Sequence, residues 1–209
     1  MARPRLHDDA LRTRLLEVAS RTVAEGGEAA LTVRSVAAAT GTSASAVYAL
    51  FGSRDGLVAA VSAEGFRRFA AHLDAVPRTD DALADLLALG LAYRDSARDD
   101  PHFYRVMFDR AVRPSTDAPP AVERPTFRVL RDAVARLLAG APDEHVEAAA
   151  VGLWGLVHGL VSLELAGLLP VDDSENAARY AAALAAVGPG LTMPRRPPGR
   201  SSGGGAGGG

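Results

Sequence analysis

The residues best suited to chemistry lie in residues 31–57, LTVRSVAAATGTSASAVYALFGSRDGL, and the chemistry they suit is non-covalent. A run of small residues, Ser43, Ala44, Ser45 and Ala46, opens a short predicted helix just after Gly41. Small side chains let a backbone approach a large partner closely, and the unpaired amides of a helix N-terminus favour phosphate. The preceding segment offers Val36 and Ala37 to a core, and the following one offers Val47, Leu50 and Phe51. Glycine tolerates the positive φ that a sharp reversal between two helices often needs. Helix, glycine turn, helix is the grammar of the helix-turn-helix, in which the first residues of the second helix meet base edges in a major groove. Many helical proteins contain a glycine turn, so the grammar alone leaves a purely structural helix pair open.

Those residues need a scaffold, and the chain predicts an all-α one. Alanine and leucine dominate, no long alternating β-branched stretch occurs, and Gly, Pro and Asp supply the punctuation. A first helix is expected over 8–25, with Leu11, Leu15, Val18, Ala19 and Val23 as its apolar stripe and Gly26-Gly27 as its stop. Thr32, Ser43 and Ser53 are N-cap residues for the three helices that follow, and Asp55 falls in the first turn of the last. Further helices are predicted near 80–98, 101–112, 122–139, 143–168 and 173–187, with Pro101, Pro142 and the Asp172-Asp173 pair marking starts. The stretch 113–125 carries four prolines and reads as a loop, and the Gly- and Pro-rich end reads as a disordered tail. The expected domains are a three-helix headpiece over 1–52, a helical bundle over 53–190 that binds a ligand and dimerises, and the tail over 191–209.

Composition narrows the function classes. The net charge of −2 means that any nucleic-acid contact must rest on a local basic surface. Residues 1–56 hold seven arginines against six acids, a thin excess. The absence of cysteine rules out disulfides and thiolate metal sites and fits a cytoplasmic protein. Residues 1–9 are polar and do not read as a secretory signal. The longest near-apolar run, residues 148–163, is short for a membrane span and reads as a buried helix. Every basic side chain is arginine, with no lysine, which we read as codon bias. No zinc-protease helix, dinucleotide fingerprint, phosphate-binding P-loop or nucleophile elbow is present, and the five histidines are scattered. No catalytic residue, metal ligand or cofactor is therefore expected.

The stretch over roughly 8–60 resembles the DNA-binding domain of the TetR (tetracycline-repressor-like) family. The resemblance rests on a helix ending in Gly-Gly, then Leu31-Thr32-Val33-Arg34, Val36-Ala37, Gly41, Ser45, Val47-Tyr48, Phe51, Arg54 and Leu57. It implies a repressor that binds a palindromic double-stranded DNA operator as a homodimer and leaves it when a small-molecule effector binds the bundle. Residue by residue, it implies that Arg34 reaches a base or a phosphate and that Tyr48 hydrogen-bonds a phosphate. Thr32 and Ser43 would cap helices or touch phosphate. Ala44 lies in the same close approach, Ser45 and Ala46 sit where the family reads bases, and Ala49 and Leu50 lie beside them. The family usually has lysine where Arg54 stands, and arginine keeps the charge and can fork onto a phosphate. Arg3 and Arg5 form either a basic arm or a solvated tail.

In the second half, Trp154-Gly155-Leu156-Val157-His158-Gly159 resembles the Trp–His–Gly signature of one TetR-type C-terminal domain class. Trp154 and His158 lie four apart on one helix face, either beside a ligand or packed as core. His102, Phe103, Tyr104, Met107 and Phe108 form an aromatic-rich helix that lines a pocket or simply fills a core, and Phe127 is a further pocket candidate. Gly152, Gly155 and Gly159 suggest a close helix approach at a subunit interface, with the helix near 173–187 beside it. Two other readings stay open: a helical enzyme or binding protein with a merely structural helix-turn-helix, and a dimerisation module acting through protein partners.

Overall fold

Helix α1 (Arg5–Gly26) buries Leu15, Ala19 and Val23 of the expected stripe and Leu16 beside them, with Leu11 and Val18 half-buried. A 3-10 turn (Glu28–Ala30) follows, and Thr32 caps α2 (Val33–Ala39) reciprocally with Ser35. Ser43 caps α3 (Ala44–Phe51) by accepting from the Ala46 amide at 3.1 Å. Ser53 does the same for α4 (Arg54–Asp74) through Gly56, at 2.9 Å. Between α2 and α3 Gly41 has φ 68°, the left-handed conformation the turn requires. The remaining helices are α5 (Ala82–Asp99), α6 (Pro101–Phe108), α7 (Pro125–Leu137), α8 (Asp143–Leu165) and α9 (Asp173–Thr192). Asp172 caps α9 by accepting from the Ser174 and Glu175 amides.

These positions come from a computed structural model that describes residues 5–108, 125–169 and 172–192, with side chains from Asp9 onward. The arm side chains of Arg3 and Arg5, the proline-rich stretch ahead of Pro125 and the tail beyond Thr192 lie outside the described residues. No strand occurs among the described residues.

Three apolar clusters hold the helices together. The first joins α1, α2 and α3 through Leu15, Val36 and Val47, but it also takes Leu57, Val58 and Val61 from α4 and Phe103 and Val106 from α6. The headpiece core therefore runs well past residue 52. The second cluster joins Phe69 and Leu73 of α4 to Leu89 and Tyr93 of α5, Val157 and Val161 of α8, and Tyr180 and Leu184 of α9. The third seats α7 on α8 through Phe127, Val134, Ala150 and Leu153. Helix α9 continues past its expected end at 187, with Pro189 inside its last turns. The helix loses one backbone bond there, yet Leu191 packs into the third cluster and holds the turn in place.

Charged seams cross these cores. Arg68 on α4 pairs with Glu64, with Glu17 on α1 at 2.5 Å and with Asp100 at 3.1 Å, and its guanidinium lies 4.3 Å from the Phe103 ring centre. The hydrogen bond from Arg67 leads, against burial, in pulling the Glu64 carboxyl down to about 2, and Arg68 adds to it. In the bundle, Arg94 forks onto Glu164 at 2.5 and 2.8 Å, and Arg98 bridges Glu164 to Asp173. The Arg94 and Glu164 side chains are 7% and 10% exposed, so the charge of each relies on the other. Removing one partner of such a pair leaves a buried charge, typically at a cost of about 3–5 kcal/mol. Arg94→Met should therefore lower the unfolding free energy in urea by about 3 kcal/mol, with Arg98 retaining part of the Glu164 charge. The double change Arg94→Met with Glu164→Leu should recover most of that loss.

Candidate nucleic-acid interface and ligand cavity

The helix-turn-helix packs one side inward and turns the other out. Leu31, Val33, Val36, Ala37 and Val47 are buried, while Thr32, Arg34, Ser43, Ser45, Tyr48 and Ala49 are exposed. Ala44, Ala46 and Leu50 are half-buried at its edge. The sequence candidates, Arg54 apart, thus share one surface. Tyr48 is 51% exposed, although the next residue along the helix, Val47, is fully buried. Arg34 forms no ion pair among the described residues. Arg12 reaches across from α1 to lie 5.6 Å from the Phe51 ring centre, a cation–π contact at the end of α3.

Arg54 is placed differently from the phosphate-facing position that the resemblance implies. Its guanidinium donates to the Leu31 carbonyl at 2.8 Å, to the Glu28 carbonyl and to the Glu28 carboxylate at 3.1 Å. These groups end the 3-10 turn that enters α2, so the arginine fork ties the start of α4 to the helix-turn-helix. Two of the headpiece acids are likewise occupied: Glu28 by Arg54 and Glu17 by Arg68.

In the bundle, α4, α5, α6, α7, α8 and α9 line a partly open cavity of about 190 Å³. Phe127 and Trp154, both expected, line it. The expected His102, Phe103 and Met107 do not. Phe103 is 2% exposed inside the headpiece core. Met107 lies against α4 at Gly65, where an added Cβ would stand 2.8 Å from its Cγ. The buried Nδ1 of His102 has no hydrogen-bond partner among the described residues. His158 sits beside the cavity in a more open cleft formed with Tyr104, Arg105 and Ser162. Its Nδ1 lies 2.7 Å from the Tyr104 hydroxyl and 3.2 Å from that of Tyr93, and the two hydroxyls are 3.2 Å apart. Burial lowers the His158 pKa, keeping the ring neutral. It pushes the Tyr104 hydroxyl up to about 12 and raises Tyr93 further. A neutral ring that accepts the short Tyr104 bond at Nδ1 carries its proton on Nε2.

Phe108, named with the aromatic-rich helix, also lines the cavity, and sequence reasoning missed Phe66, Phe69 and Tyr93, which line it too. The spacing of Phe66, Phe69 and Leu73 is an apolar stripe that marks one face of α4, but nothing in it says that the face borders a void.

The comparisons agree with this arrangement. Residues 15–61 match the family model for bacterial regulatory proteins of the tetR family, and residues 86–187 match that of the tetracyclin repressor-like C-terminal domain. No curated protein sequence matches the chain. A bacterial regulatory protein of the tetR family from Rhodococcus RHA1 is 26% identical, with 84% of this chain and 95% of that one covered and a TM-score of 0.64. A TetR family transcription regulator from Marinobacter aquaeolei VT8 is 20% identical over 88% and 98% of the two chains, with a TM-score of 0.66. A TetR variant from Acinetobacter baumannii AYE, solved in complex with minocycline, is 18% identical over 85% and 93%, with a TM-score of 0.58.

Two outcomes are expected. Arg54→Ala should destabilise the protein by about 1 kcal/mol, because part-buried carbonyls lose a charged donor, and a lowered melting temperature in DNA-free protein is the readout. The second concerns pH. Because the folded pKa of His158 lies below its ordinary value near 6.5, the unfolded chain binds the proton first, so this contribution is present above that value and lost as pH falls. Melting temperature should fall between pH 7.5 and 5.5 in the native protein, and His158→Gln should make the slope shallower.

Proposed function

From the chain's place in the TetR family of DNA-binding transcription regulators, to which it belongs, we propose that it is a ligand-responsive repressor that grips a palindromic operator as a homodimer. The observation that carries this reading is the outward face of the helix-turn-helix, on which Arg34, Ser43 and Ser45 are exposed together with the half-exposed ring of Tyr48. A ring held out in water by a helix whose other face is core suits a phosphate partner, with its hydroxyl free to donate. Arg34 is assigned to a base edge or phosphate, and Thr32 and Ser43 to phosphates beside the amides they cap. Ser45 and Ala46 approach the bases, with Ala44, Ala49 and Leu50 as close neighbours. Arg54 acts on the DNA only indirectly, by fixing the entry to α2.

The dimer is assigned to α8 and α9. Helix α8 is long and apolar enough by length and composition to cross a membrane, yet its uncovered side is a stripe of small and apolar residues. Ala148, Val151, Gly155 and Leu163 are exposed there, and nothing stands within 4 Å of where a Cβ on Gly155 or Gly159 would be. Exposed Ala178, Ala182, Ala186 and Val187 continue the apolar surface on α9. Two copies packed along it would form a four-helix core and hold two copies of α3 roughly 34–36 Å apart, one turn of DNA.

Release follows from α4. Its lower half belongs to the headpiece core, while Phe66, Phe69 and Leu73 line the cavity. A molecule that fills the cavity and favours a displaced α4 changes the spacing of the headpieces, with a coupling free energy of about 1–3 kcal/mol. The minocycline complex of a protein with the same fold supports small-molecule control. We place the protein in the cytoplasm, with its operator.

Selection from randomised duplex DNA should enrich a palindrome whose half-sites lie about one turn apart, with binding that weakens steeply as salt rises. Arg34→Ala should weaken binding to that site by about 1–3 kcal/mol while leaving the melting temperature unchanged. Failure to enrich any sequence, or full affinity in the Arg34→Ala protein, would remove the DNA assignment.

A further inference from the structure

We infer that the effector is a small, uncharged, ring-sized hydrophobic molecule with at most one or two polar atoms. This deepens the regulator reading above and rests on its assignment of the cavity to an effector. None of the described residues lining the cavity carries a charge. Charged residues on the helices that carry the wall are paired within the protein, Arg94 and Arg98 with Glu164 and Arg136 with Asp85. A carboxylate or ammonium moved into this space would lose its water and find no counter-charge, and such transfers are strongly disfavoured.

The polar atoms on the wall are few, and most of them are satisfied within the protein. The Tyr93 hydroxyl belongs to the triangle with Tyr104 and His158. The Thr192 hydroxyl donates to the Pro189 carbonyl at 3.0 Å. The Trp154 indole is engaged with the Tyr93 hydroxyl, which leaves the Thr126 hydroxyl as the side-chain group among the described wall residues able to meet a ligand heteroatom. His102, whose buried Nδ1 has no hydrogen-bond partner among the described residues, does not line the space. The wall therefore makes no demand for a polar ligand.

Shape points the same way. An apolar cavity of about 150 Å³ stays dry and takes benzene, so one of about 190 Å³ suits a one- or two-ring compound. Six aromatic side chains line it: Phe66, Phe69, Tyr93, Phe108, Phe127 and Trp154. Phe69 meets Tyr93 edge-on at 4.9 Å and 87°, Phe66 meets Phe108 at 5.9 Å and 73°, and Phe127 meets Trp154 at 5.9 Å and 65°. Edge-to-face pairs leave ring faces and ring edges pointing into the same space, which is the surface a planar aromatic guest packs against.

Trp154 is the chain's sole tryptophan, so its emission reports on the cavity wall. The probes are naphthalene, naphthoate and naphthylmethylammonium, titrated into the full-length protein at pH 7.5. Naphthalene should change the emission saturably, and both charged probes should bind more than about a hundredfold more weakly. Leu137→Phe, which puts a ring into the space, should reduce naphthalene affinity at least about tenfold. If that variant fails to fold, Leu86→Phe serves, and the charge series in the native protein decides on its own. No saturable response to naphthalene, or a charged probe binding within tenfold of it, overturns the inference, the cationic case pointing instead to an aromatic cage for ammonium. A parallel measurement on the selected operator separates this from the regulator reading. Operator binding without naphthalene binding sinks the ligand class alone, whereas naphthalene binding that leaves the operator complex intact sinks the release mechanism alone.

Discussion

Helix α4 has its two halves in two different hydrophobic cores, and the rest of the molecule is arranged around that constraint. Leu57, Val58 and Val61 are buried with α1, α2 and α3, while Phe69 and Leu73 are buried with α5, α8 and α9. A helix of 21 residues behaves as a rod about 30 Å long, so neither core can shift it without the other responding. Helix α6 reinforces the link: Phe103 and Val106 enter the headpiece core, and Tyr104 enters the bundle core. The two helices approach closely because Gly65 has no side chain where Met107 lies. Arg68 closes the same junction by joining α1, α4 and Asp100 at the α5–α6 corner.

That junction also explains the thin basic excess of the headpiece. Charge counting treats each arginine and each acid as free to face a partner, but here several are spent on architecture. Arg54 and Glu28 hold the 3-10 turn, and Glu17 answers Arg68. The outer face is left with Arg34 and hydroxyl-bearing residues, which suits the proposed close approach by small residues and backbone amides more than a dense positive field.

The cavity and the Tyr93–Tyr104–His158 triangle make one unit. Burial of polar groups is tolerable only when they satisfy one another. The triangle does this at the border between an apolar space and the more open cleft on the far side of His158. Its effect on the cavity is to withdraw polar atoms from the wall, and so to keep the space hydrocarbon-like.

Much of the fold was legible in the sequence because it depended on local rules. Thr32, Ser43 and Ser53 cap where side-chain chemistry says they must, Gly41 turns, and Leu15, Ala19 and Val23 face inward by period alone. The exposed positions of Arg34, Ser45 and Tyr48 followed from the same periodicity, read through the family resemblance. Tertiary structure decided what local pattern cannot encode. Arg54 is held to the Leu31 and Glu28 carbonyls, 23 and 26 residues earlier in the chain, a partnership no local pattern encodes. Phe103 went to the headpiece core, and Phe66, Phe69 and Tyr93 to the cavity, although all are aromatic residues on amphipathic helices. Period assigns a side chain to the inner face of its helix, and only the packing of several helices decides whether that face meets another side chain or an empty space.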